Sequence, residues 1–127
     1  MEAIGYVSTE VVSLLGLNIL PGTPIYLGTS NISHMEKAHP SDYNKYGADI
    51  SNILNDPDYV GINPTDSSIE YVKSYAINNE HVKVAVRVST NGHYFARSLY
   101  TLNSRRVQNF INKGTLKALT KSNEDKI

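Results

Sequence analysis

The sequence predicts an α+β domain in which N-terminal helices pack on a roughly four-stranded antiparallel sheet, and three observations predict it. Apolar residues recur at three- and four-residue steps in the first half of the chain, as in Tyr43, Tyr46, Ile50, Ile53 and Leu54. In the second half the period changes to two. Val82, Val84, Val86 and Val88 alternate with His81, Lys83, Ala85, Arg87 and Ser89, as a strand with one buried face requires. Turn pairs such as Pro21-Gly22, Asn78-Asn79 and Asn91-Gly92 separate the segments.

Taken in order, Ser8 or Thr9 can cap a short helix carrying Val11, Val12, Leu14 and Leu15, which Gly16 ends. After the Pro21-Gly22 turn, Ile25 to Gly28 is a short β-like run. Ser30 or Asn31 can then cap a helix with Ile32, His34 and Met35 that must finish before Pro40. Ser41 is the expected cap of the next helix, which runs until Asp56-Pro57. Strands are expected over Tyr59 to Asn63, Ile69 to about Ile77, Val82 to Val88 and His93 to Leu102. A last helix, Ser104 to Lys113, is bounded by Asn103 and Gly114.

The hairpin at Asn91-Gly92 leaves two registers open. A two-residue turn pairs Arg87 with Ala96 and sends Tyr94, Ser98 and Tyr100 to the polar face. A three-residue loop with Gly92 left-handed sends His93, Phe95 and Arg97 there instead, beside Lys83 and Arg87. The second is favoured because it keeps Arg97 off the valine core.

The 127 residues and 40% hydrophobic content suit one domain, read as residues 1–119 followed by a polar tail at 120–127. Without cysteine there is no disulfide framework and no Cys-based zinc site, which points to a cytoplasmic protein. The longest apolar stretch, Val11 to Leu20, is interrupted by Ser13, Gly16 and Asn18, so no membrane span is expected.

A formal net charge of zero hides a division along the chain. From Glu36 to Val72 seven carboxylates face Lys37 and Lys45, giving about −5. From Lys73 to Lys121, nine Lys and Arg face Glu80 alone, giving about +8, a footprint suited to a phosphate backbone.

His34 and His39 stand about 140° apart on a helix, without the i, i+4 alignment of a paired metal site, so no metal or other cofactor is expected. Imidazoles can serve as base and acid near neutral pH. A metal-free ribonuclease needs such a pair, because RNA supplies its own 2′-OH nucleophile, together with cations around the scissile phosphate. Arg87 and Arg97 can clamp phosphate oxygens bidentately, with Lys83 as a supporting charge. Ser98 and Tyr100 can donate to the phosphate, Phe95, Tyr71 and Tyr94 can stack on unpaired bases, and Arg105 adds a further RNA contact.

The segment Ser33-His34-Met35-Glu36-Lys37-Ala38-His39-Pro40, then Asn55-Asp56-Pro57-Asp58-Tyr59-Val60-Gly61, resembles the phage-barnase-EndoU-colicin-RelE-like nuclease domains. Val84-Ala85-Val86-Arg87-Val88 and Tyr94-Phe95-Ala96-Arg97-Ser98-Leu99-Tyr100 continue the likeness, from about Ile25 to Leu119. The resemblance implies a toxin-like RNase of phages or mobile elements, whose open sheet face carries the active site. It makes His34 and His39 the helix-borne pair and Arg87, Arg97, Ser98 and Tyr100 the sheet-borne positions, with Glu70 a weaker base. The expected activity is metal-independent endoribonuclease cleavage to a 2′,3′-cyclic phosphate. An active enzyme would need restraint, so a cognate inhibitor protein is an expected partner besides RNA. The rival reading is a non-catalytic RNA- or protein-binding module that blocks a host factor.

Overall fold

The computed structural model describes residues 2–120. The first helix, α1 (Thr9–Leu15), begins where Ser8 Oγ accepts from the Val11 N–H and ends at left-handed Gly16, as its cap residues predict. The second, α2 (Thr29–Ala38), is capped at Gly28, not at Ser30 or Asn31. Asn31 sits one turn in and its Oδ1 accepts from the Gly28 N–H at 2.9 Å, so it closes the turn from inside.

Pro40 explains the next boundary. It excludes His39 from helical geometry (φ −142°, ψ 69°), so His39 both ends α2 and opens α3 (Pro40–Tyr46), with proline as the first helical residue. The expected cap, Ser41, is therefore already inside the helix. The continuous helix expected up to Asp56 is also broken: a 3₁₀ turn (Gly47–Asp49) separates α3 from α4 (Ile50–Asn55). A Cβ on Gly47 would lie 2.8 Å from the Tyr43 ring, so the ring occupies the space where the helix would otherwise carry a side chain.

The sheet has seven strands rather than four: β1 (Ala3–Tyr6), β2 (Pro24–Tyr26), β3 (Tyr59–Ile62), β4 (Ile69–Tyr75), β5 (Glu80–Val88), β6 (Tyr94–Leu102) and β7 (Leu116–Ala118). Their order is β1-β2-β6-β5-β4-β3-β7, antiparallel except for β2 beside β6. Strands β3 to β6 are those the sequence announces, and its β-like run at Ile25 to Gly28 overlaps β2. The unannounced β1 and β7 have four and three residues, too few to show a period of two, and they form only against partners distant in sequence, such as Tyr59 with Ala118. Gly61 lets β7 approach: a Cβ there would stand 2.0 Å from the Thr115 carbonyl oxygen.

One sheet face carries the main core. Val82, Val84, Val86, Ala96 and Leu99 pack there with Val11, Met35, Ile50, Ile53 and Leu54 from the helices. On the other face the last helix, α5 (Ser104–Asn112), sets Val107, Phe110 and Ile111 against Val72, Leu102 and Leu116. Its cap is Asn103, whose Oδ1 accepts from the Arg106 N–H at 2.9 Å. The polar tail expected at 120–127 lies outside the described residues except for Thr120, whose N–H donates to Glu10 Oε2 at 2.7 Å.

The hairpin joins both registers. Next to the turn Gly92 is left-handed (φ +88°) and Arg87 faces Phe95, as the three-residue loop predicts. Further along, Ala85 faces Ser98 and Lys83 faces Tyr100, which is the pairing of the two-residue turn. The change occurs at a β-bulge that leaves Arg97 unpaired between Ala96 and Ser98. Arg87, Phe95, Ser98 and Tyr100 thus reach the same polar face, which neither register alone would allow.

Candidate active site

The bulge opens onto a cavity of about 460 Å³. Ala85 and Arg87 from β5 and Arg97 and Ser98 from β6 line it, with Ser30, Asn31 and His34 from α2, and Asp66 and Ser68 from the turn before β4. Ser30 and His34 are one helical turn apart, so both project from the same side of α2. The helix is held there because α2 and α3 pack along β6 where its pairing with β2 has stopped, and Asp42 accepts the Thr101 N–H at 3.0 Å in place of a neighbouring strand.

Electrostatically the cavity is cationic. Arg87 is fixed by Asp66 Oδ2 at 3.3 Å, and its side chain stays 44% exposed. The Ser68 hydroxyl and its backbone N–H, then Arg87, hold the Asp66 carboxyl below its ordinary range, so Asp66 is a poor base and a good anchor for Arg87. Arg97 has no such partner. Its Nε is buried and meets no acceptor, and no carboxylate lies within ion-pair distance of it among the described residues. A buried N–H without an acceptor is costly, and a phosphate oxygen entering the cavity would remove that cost.

Of the residues expected to form the site, His34, Arg87, Arg97 and Ser98 come together here. His39 does not line this cavity; its ring lies 5.0 Å from that of Tyr100, past the C-terminal end of α2. Lys83 is inside the sheet, not on its surface. Its Nζ is 2.9 Å from Glu70 Oε2 with both side chains only 6% exposed, and it sits 4.9 Å from the Tyr100 ring centroid. Burial lowers the Lys83 pKa, but Tyr100 and the Glu70 carboxylate outweigh burial and raise it, so the ammonium stays charged. Glu70 also accepts from Asn63 Nδ2 at 3.1 Å, which leaves this carboxylate tied down. Arg105 is exposed on the first turn of α5.

Phe95 lines a second cavity beside the first, whereas Tyr71 is fully buried in the core and offers no surface for stacking. Tyr94 packs partly buried against the same core. Ser30, Asn31, Asp66 and Ser68 line the site without being expected there from the sequence. Their only signal was turn and cap chemistry, which says nothing about what the turn will face. Among the described residues no three His, Asp or Glu side chains converge to hold a metal ion, and no helix is long and apolar enough to cross a membrane.

The family model described as phage-Barnase-EndoU-ColicinE5/D-RelE like nuclease3 matches residues 2–109. The chain belongs to this nuclease family. The match runs from β1 into α5 and includes every residue that lines the cavity. No curated protein and no solved structure matches the chain. A nuclease of this kind acts on nucleic acid.

Proposed function

We propose that this nuclease is a metal-independent endoribonuclease that cleaves RNA through the 2′-OH. The observation that carries the reading is one imidazole, His34, sharing a cavity with two guanidiniums, one of them without a partner among the described residues. In the reaction O2′ attacks phosphorus, the P–O5′ bond breaks, and a 2′,3′-cyclic phosphate and a 5′-hydroxyl result. One group takes the 2′ proton and another gives a proton to O5′. His34, the imidazole in the cavity lining, serves in one of these steps.

Arg87 and Arg97 hold the phosphate oxygens and stabilise the charge that gathers there in the transition state. Ser98 donates to the same group. The buried Lys83 acts by its field and not by contact, with Tyr100 above it. A toxin role, with a cognate inhibitor protein covering the cavity in the producing cell, accords with the family's phage and colicin relatives in name.

The test is to incubate purified protein with total cellular RNA in excess EDTA and characterise the new 3′ ends. We expect cyclic-phosphate ends, with the rate falling roughly 10²-fold or more in His34→Ala and Arg97→Ala. Folded protein that cuts no RNA would overturn the reading in favour of a binding module.

A further inference from the structure

The second cavity, about 400 Å³, shares Ser30, Asn31 and Arg97 with the first and adds Gly28, Thr29, Ser89 and Phe95. Arg97 therefore stands between two adjoining spaces. The first holds His34, Arg87 and the anchoring Asp66. The second holds no titratable group besides Arg97; its other side chains are neutral hydroxyls, one amide and one aromatic ring. That donor set suits a flat heterocycle and not a second phosphate.

The aromatic wall is braced from behind. The Phe95 ring is 5.9 Å from that of Tyr26 on β2, at 48°, and Tyr26 meets the His93 ring edge-on at 5.8 Å. Pairing of Tyr26 with Phe95 in the parallel β2–β6 ladder fixes the backbone beneath both rings. Phe95 is half-buried, so part of its ring is covered by Tyr26 while part lines the cavity. Asn31 adds direction: its Oδ1 is occupied by the Gly28 N–H, which leaves its Nδ2, without an acceptor among the described residues, to donate.

We propose that this second cavity is a subsite for one unpaired nucleobase, stacked on Phe95, belonging to the nucleotide next to the phosphate held at Arg97. The inference rests on the nuclease reading above and deepens it. A base in a duplex is stacked on both faces and could not enter, so the subsite makes the enzyme selective for single-stranded segments. Stacking is tolerant of base identity, because every base has a π-face.

The test uses 2′-O-methyl RNA strands, which lack the nucleophile, so binding is read without cleavage. In single-stranded oligomers, removing one base at a time should weaken binding roughly tenfold at one position for wild type. Phe95→Leu should bind the intact strand roughly tenfold more weakly and lose that positional effect, and Phe95→Trp should restore both. In the wild-type protein, a 5-iodouracil at that position should cross-link to Phe95 on irradiation, which needs no variant to fold. Equal loss on base removal in wild type and folded Phe95→Leu, or cross-linking only to other residues, overturns the subsite while leaving the nuclease reading intact. Failure of wild type to bind any single strand overturns both.

Discussion

Arg97 costs the free protein stability. A bulge brings its guanidinium partly under cover, and its Nε finds no acceptor. Replacing it with a residue of similar length and no polar atoms should therefore help the fold and harm the function. We expect Arg97→Met to raise unfolding stability by about 1 kcal/mol while cutting RNA cleavage roughly 10²-fold, as read by denaturant titration and by rate. Tyr71 is the control, since its hydroxyl is also buried without a partner among the described residues but lies in the core. Tyr71→Phe should gain about 1 kcal/mol and leave cleavage unchanged. Asp66 gives a pH dependence. Its folded pKa lies below the ordinary 3.8, so its contribution to stability is complete above that pH and is lost as pH falls through the lower folded value. Asp66→Asn should thus melt below wild type near neutral pH, with the gap narrowing as the pH falls below 3.8 in a series of thermal melts.

At the scale of elements, the β-bulge and the short edge strands decide the site. The bulge turns one residue of β6 out of the ladder and lets Phe95 and Ser98 share a face with Arg87. Edge strand β7 depends on one glycine. Gly61→Ala places a methyl 2.0 Å from the Thr115 carbonyl, a clash with backbone that no rotamer relieves. The expected cost is about 3 kcal/mol, with loss of amide-exchange protection in β3 and β7 before the rest of the sheet. The α2–α3 junction works in the opposite sense, because its local signal is decisive. Pro40 removes His39 from the helix whatever the surroundings, so the two histidines part by direction as well as by sequence.

Over the whole molecule, folding redistributes the charge division. Lys73 pairs with Asp56, Lys83 with Glu70 and Arg87 with Asp66, each joining the basic stretch to the acidic one. The cations that the basic stretch leaves for a nucleic acid are fewer than the sequence suggests: among its described residues Arg97, Arg105, Arg106, Lys113 and Lys117 have no ion pair, and Arg87 stays 44% exposed beside Asp66. Binding of single-stranded 2′-O-methyl RNA, followed by fluorescence anisotropy, should show a slope of log K against log salt no steeper than roughly −4, where all nine basic residues would give about −6. The sequence by itself determined the α+β class, a cap at Ser8 or Thr9 and one at Asn103, the strands β3 to β6 and the presence of His34, Arg87, Arg97 and Ser98 in helix and hairpin, because propensity, capping and alternation act within a few residues. Only the tertiary structure decided the edge strands β1 and β7, the bulge at Arg97, the removal of Lys83 and Glu70 into a buried pair, and the separation of His39 from the cavity. Those outcomes depend on contacts between residues far apart in the chain, and in a sheet a shift of a single residue moves every side chain beyond it to the other face.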